Sequence, residues 1–234
     1  MIIAIAVVMI VVGIMVYIPK NEDIAVSATQ KLKNKIVVLD PGHGGLDNGA
    51  MCGKTNEDEL NLKICEALKI ELESRGAKVY LTRTDDHDMT NRNYLYSKQD
   101  DMYLRVRQID AYKPDYLLSI HLNASPSSSA WGSQVFYYNR SEKGKELASI
   151  IHTSMKEITG TRKPISGSNF MVLRATKTLG VLIECGFISN ANERGQLRNS
   201  NYHAKLSKAI VDGLETYNDK HITDNKEDFK KVLE

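Results

Sequence analysis

Apolar and polar positions change period along most of this chain. Short apolar runs at 35–40, 77–82, 116–121, 133–138, 169–173 and 180–184 read as strands, and segments with a helical repeat lie between or after them at 57–75, 100–112, 143–158 and 201–217. The helix over 57–75 places Leu60, Ile64, Leu68 and Leu72 on one face and stops at Gly76, a residue suited to the left-handed position past a helix end. The helix over 201–217 repeats the pattern with Tyr202, Leu206, Ala209, Ile210 and Leu214, and the one over 143–158 ends at Gly160. Strands alternating with helices predict an α/β class in which helices pack on a sheet.

The first residues depart from this pattern. Residues 1–18 carry no charged side chain, only Gly13 breaks the run of Ile, Val, Ala, Met and Tyr, and about 18 apolar residues is the lower limit for spanning a bilayer. With no polar face to meet water, the segment is a poor core helix. It predicts export, as an uncleaved transmembrane anchor or as a signal segment. The first lysine is Lys20, and the cleavage-like Val26-Ser27-Ala28 lies far from the apolar run, which favours the anchor. Either way residues 29–234 are expected on the outer face of the cytoplasmic membrane. Residues 19–34 read as a linker, 35–217 as a single domain without internal repeats, and 218–234 as a charged tail that frays.

Of 234 residues, 42% are hydrophobic and 26% charged, enough for one well-buried domain. The net charge is +2, and basic and acidic residues are interleaved, so no basic stripe marks nucleic acid as a partner. Three cysteines, Cys52, Cys65 and Cys185, are too few for a disulfide framework and are expected reduced.

Chemistry concentrates where strands end. His43 follows the apolar run 36–39 among Gly42, Gly44 and Gly45, whose lack of side chains lets the imidazole turn toward a ligand. Asp40 is the expected acceptor for its other ring N–H. His121 closes the run 116–120 and reads equally as a ligand or as a satisfied core residue, with Asn123 beside it offering a donor and an acceptor to a substrate amide. Acids cluster at 57–59, where a helix dipole alone would favour them. Two histidines with one carboxylate are also the ligand set of a catalytic zinc site with an open position, and Glu57 is better placed for it than Glu59. Glu184 closes the apolar strand 181–183, where a carboxylate is costly unless paired or used. One reading pairs it structurally with Arg83 or Arg107, and the other makes it the general base that takes a proton from the attacking water and returns it to the leaving amine. His87, His152, His203 and His221 read as surface residues, Cys65 as core, and the polar loops 84–99 and 125–131 as walls of a substrate groove.

The segments D-P-G-H-G-G at 40–45, E-D-E-L-N-L at 57–62, L-T-R at 81–83, S-I-H-L-N-A at 119–124 and E-C-G-F-I-S-N at 184–190 together resemble the zinc-dependent N-acetylmuramoyl-L-alanine amidases of the amidase-3 family. The resemblance implies a three-layer α/β/α sandwich around a mixed, mostly parallel sheet. It also implies one Zn2+ per chain held by His43, Glu57 and His121, with Glu184 as the catalytic carboxylate. The implied reaction is hydrolysis of the amide joining N-acetylmuramic acid to L-alanine in peptidoglycan. Asp40, Asn123, Arg174 and Arg83 are the further candidates for contact with ligands or substrate.

A small domain behind one hydrophobic segment is most similar to the spore-cortex amidases of that family. That implies a role in forming muramic-δ-lactam and in germination, a location between the forespore membranes, and an exported accessory protein as a partner. A zinc peptidase acting within the stem peptide is the competing enzyme, and a catalytically silent wall-binding protein is the competing class.

Overall fold

The computed structural model describes residues 30–90 and 96–233, with side chains as far as residue 222. The apolar segment at 1–18 lies outside the described residues, and among those described no helix is long and apolar enough to cross a membrane. Three strands form the centre of a sheet: β1 (Ile36–Pro41), β5 (Tyr116–Asn123) and β8 (Leu179–Phe187). They run parallel and side by side, with β4 (Lys78–Leu81) outside β1. Covered on both faces, they read as nearly unbroken apolar runs rather than alternating ones. β6 (Gln134–Tyr138) pairs antiparallel with β8, and the edge strand β7 (Ser166–Ser168) pairs parallel with β6, so the six-stranded sheet is mixed but mostly parallel. A short hairpin, β2 (Met51–Cys52) and β3 (Thr55–Asn56), stands apart from it.

Helices cover the two faces unequally. On one face lie α1 (Glu57–Ser74), α3 (Glu142–Thr159) and α6 (Ser200–Leu233) over the larger core, which takes Val37, Leu39, Leu118, Ile120 and Ile183 from the strands. On the other lie α2 (Lys98–Ala111) and the single turn α4 (Met171–Arg174), over Val38, Leu117 and Leu182. The sandwich is therefore the expected three-layer α/β/α arrangement. The predicted stripe of α1 is buried throughout, and Gly76 at φ 89° and Gly160 at φ 64° occupy the left-handed positions past α1 and α3.

Three expectations need correction. The apolar run at 169–173 is not a strand: Leu173 and Arg174 return their N–H groups to the Phe170 carbonyl and make α4, because a run this short has no period that separates strand from helix. The charged tail does not fray after Tyr217 but continues α6 to Leu233, anchored by buried Asn218, which accepts from the Tyr116 hydroxyl and donates to the Lys31 carbonyl, each at 2.9 Å. Nor does the fold begin at Lys35, since Leu32 is fully buried with its N–H on the Arg75 carbonyl. A short helix α5 (Ala191–Leu197), capped by the Asn190 side chain, also follows β8.

The turn leaving β1 is the strained part of this frame. His43 has φ 64°, an uncommon conformation for a residue with a side chain, and the chain leaves the β-ladder after Pro41, so the carbonyls from Pro41 to His43 need other partners. Two arginines that are almost wholly buried supply the donors. Arg105 donates to the carbonyls of Pro41 (2.9 Å) and His43 (3.1 Å) and to the Asp40 carboxylate (2.7 Å). Arg83 donates to the carbonyls of Pro41, Gly42 and Asp58 at 3.1, 3.0 and 2.8 Å. Breaking a buried ion pair by removing one partner leaves a desolvated charge. Arg105→Leu is therefore expected to cost about 3–5 kcal/mol in urea unfolding, part of which Asp40→Asn added to the same chain should recover. A loss below about 1 kcal/mol would show that the pair does not hold the turn.

Candidate metal centre and active site

Alternation along the strands places the polar residues. With Val37, Leu39, Leu118, Ile120, Val181 and Ile183 committed to the larger core, Asp40, Ser119, His121 and Glu184 face the opposite side, toward α2 and α4. His121 and Glu184 are register partners on β5 and β8, so they stand side by side at the ends of those strands. A cavity of about 350 Å³ opens there, with His43, His121 and Glu184 at its polar end and Met102, Phe170, Met171, Val172 and Leu182 as an apolar wall.

Glu57 enters from the first turn of α1 and is almost fully buried. Its Oε1 accepts from the Leu122 N–H (3.0 Å) and lies 3.1 Å from His121 Nδ1 and 3.2 Å from His43 Nε2, while Oε2 accepts from the Ala50 N–H (2.8 Å). Ligand atoms of His43, Glu57 and His121 fall within 4.8 Å of one another, and this is the one such group among the described residues. Two imidazoles and one carboxylate fit a zinc ion that keeps an open position. Glycines make the crowding possible: a Cβ on Gly42 would lie 2.1 Å from the His121 ring, and one on Gly49 would lie 2.6 Å from Glu57 Oε2.

The two glutamates are driven in opposite directions. Burial would raise the Glu57 carboxyl, but the hydrogen bonds and charges of His121 and His43 outweigh it and hold Glu57 well below the usual carboxylate range. Burial lifts Glu184 to about 7, against the pull of His121 and with the Glu57 charge adding to the rise. Its Oε2 has no hydrogen-bond partner among the described residues. Burial also lowers His43, yet Asp47 and then Glu57 bring it up to about 9. A carboxylate kept ionised beside one kept near neutrality suits a ligand and a proton carrier respectively.

The remaining candidates are distributed otherwise than expected. Asp40 does not reach His43: burial would raise its carboxyl, but Arg105, with the hydroxyls of Ser119 (2.7 Å) and Thr82 (2.8 Å), holds it low, and its acceptors are taken. The carboxylate beside His43 Nδ1 is Asp47, at 2.9 Å and off the ideal hydrogen-bond angle. Arg83 binds backbone carbonyls and does not pair with Glu184. Asn123 and Arg174 are not in the cavity wall, and Arg174 is exposed. Lys98 at the start of α2 lines the cavity, whereas loop 125–131 does not. Cys185 is fully buried, with burial pushing its thiol far up, so it is no nucleophile. His203, expected at the surface, is buried against the Leu197 carbonyl.

Two outcomes follow from this geometry. Gly42→Ala should displace the His121 ring and abolish stoichiometric metal binding while far-ultraviolet circular dichroism stays unchanged; retention of full metal content would contradict the packing. In the metal-free protein the folded state of Glu184 binds its proton more tightly than the unfolded chain does, whose carboxyl titrates near 4.5. The contribution of Glu184 to stability is therefore greatest below that value and is lost as pH rises toward about 7. Glu184→Gln should accordingly stabilise the metal-free protein at pH 8 by roughly 1–3 kcal/mol and leave it unchanged near pH 4, as read by denaturant unfolding at the two pH values.

Comparison with known proteins gives the family. The chain is 35% identical over 193 residues, 80% of its own length and 81% of the relative's, to a germination-specific N-acetylmuramoyl-L-alanine amidase of Bacillus subtilis. It is 35% identical over 204 residues to the probable cell wall amidase LytH of Staphylococcus aureus, spanning 64% of that protein. The CwlD amidase of Clostridioides difficile, solved in complex with the GerS lipoprotein, shares the fold at a TM-score of 0.72 and 32% identity over 79% of this chain and 98% of that one. The catalytic domain of CwlV from Bacillus (Paenibacillus) polymyxa follows at 0.69 and 32%, with the same coverage. The sequence profile described as N-acetylmuramoyl-L-alanine amidase matches residues 37–216, from the first core strand to the middle of α6, and the chain belongs to that family, Amidase_3.

Proposed function

We propose that this amidase works with zinc at the His43–Glu57–His121 site and that its peptidoglycan substrate is spore cortex, where removal of the stem peptide precedes muramic-δ-lactam formation. The observation that carries the zinc reading is the convergence of two imidazoles and a carboxylate on one point, with a second, unpaired carboxylate beside them. His43, Glu57 and His121 would hold the zinc ion, which when bound would supply Lewis acidity toward the scissile carbonyl and the attacking water. Glu184 takes the proton of that water at its carboxylate and returns it to the departing L-alanine nitrogen. In the metal-free chain burial raises this carboxyl to about 7, which favours a group that both takes and returns a proton. The apolar wall from Met102, Phe170, Met171, Val172 and Leu182 suits the lactyl and alanyl methyl groups that flank the bond.

The cortex assignment is supported by the germination-specific relative and by the CwlD neighbour. That neighbour's complex with a lipoprotein supports an exported accessory protein as a partner here as well. The uncharged segment at 1–18 supports export to the outer face of the membrane, between the two forespore membranes in a spore former. On the purified full chain and its Glu184→Gln variant, near-stoichiometric zinc is expected in both. Mass spectrometry of muropeptides should find free stem peptide and a muramic acid with a free lactyl carboxylate from the wild type, and about 10²–10⁴ less from the variant. Cleavage inside the stem peptide would identify a peptidase instead, and metal-free wild type after zinc incubation would overturn the centre.

A further inference from the structure

His43 departs from ordinary backbone geometry, and a loop folds back over it. Gly44 and Asp47 exchange two backbone hydrogen bonds, 2.8 and 3.2 Å, which fixes Asp47 relative to the histidine. Gly49, at φ 65°, passes so close that a Cβ there would lie 2.7 Å from the His43 ring. The Asp47 carboxylate is held from two further sides: Oδ1 accepts from the Gly49 N–H (3.2 Å), and Oδ2 lies 2.9 Å from Lys98 Nζ and 3.3 Å from the Tyr96 hydroxyl. The same Oδ2 is 2.9 Å from His43 Nδ1, while the other ring nitrogen, Nε2, faces Glu57. Asp40 cannot act on the ring, because Arg105, Ser119 and Thr82 occupy its oxygens.

We infer that Asp47 is the positioning residue of the centre: it takes the Nδ1 proton of His43 in a hydrogen bond, so that Nε2 presents its lone pair toward Glu57 and the metal, and Lys98 and Tyr96 hold Asp47 in place. The inference rests on the zinc reading of the site. A histidine ligand donates its second ring N–H to a carboxylate, carbonyl or water so that its tautomer and orientation are set before the metal arrives. The slack angle between Asp47 and the ring in the metal-free chain leaves room for the bond to tighten as the imidazole turns to its ligand position. Lys98 and Tyr96 belong to the stretch between β4 and the first turn of α2. Through them this stretch, far from the ligands in sequence, bears on the centre.

The test is zinc affinity, measured on the full chain by competition with a chromophoric chelator, alongside thermal unfolding of each metal-free variant. Asp47→Ala should weaken zinc binding about 10–100-fold, beyond what its cost in metal-free unfolding accounts for. Asp47→Asn, which keeps an acceptor oxygen, should recover part of the affinity, and Lys98→Ala should lose less than Asp47→Ala. Wild-type affinity in Asp47→Ala would overturn the inference. So would a loss that follows the metal-free stability and is not relieved by asparagine. Failure of the wild type itself to bind zinc would overturn the reading of the centre, which is a different result from equal binding by wild type and variant.

Discussion

Everything at the catalytic rim depends on a buried charge pair beneath it. Asp40 and Arg105 meet at 2.7 Å with almost no access to water, and the same guanidinium reaches the carbonyls of Pro41 and His43. A turn that leaves the sheet with a left-handed histidine leaves buried carbonyls without ladder partners, and a planar group with five donors is well matched to that need. Arg83 completes the arrangement on Pro41 and Gly42, and by holding the Asp58 carbonyl it ties the end of β1 to the start of α1. His43 and Glu57, far apart in sequence, are thereby bound to one scaffold. Asp40 bears on His43 through Arg105 and the backbone of the turn, and leaves the imidazole to another carboxylate.

Register and burial then divide the labour between two glutamates. β5 and β8 run parallel in a register that sets His121 beside Glu184, so the second imidazole and the proposed proton carrier arrive together. Glu57 is enclosed by two histidines and two backbone N–H groups, all of which favour its charge. Glu184 has burial without a hydrogen bond to Oε2, which favours its proton. Identical side chains thus differ because one is surrounded by donors and the other is not. Opposite this polar end, α2 and α4 contribute the apolar side of the cavity, which gives it one reactive end and one that shapes the substrate.

The chain by itself determined the class of fold, because buried parallel strands must be nearly all apolar and their helices must show one apolar stripe, and both patterns are visible without coordinates. It also determined the site candidates, since His121 and Glu184 each close an apolar run where a polar residue is costly unless used, His43 follows such a run among glycines, and Glu57 opens a helix. What the tertiary structure decided is which groups meet. Asp40 is three residues from His43 and yet belongs to Arg105, while Asp47 lies beside the ring because a tight bridge and a close-passing glycine fold the loop back. Periodicity could not separate a helical turn from a strand at 171–174, since four residues are fewer than two helical turns, nor could charge reveal that α6 continues beyond Tyr217, because Asn218 finds its partners on Tyr116 and Lys31. Local pattern reports which side chains must be buried or used; contacts between residues distant in sequence depend on register and packing, and those exist only once the chain has folded.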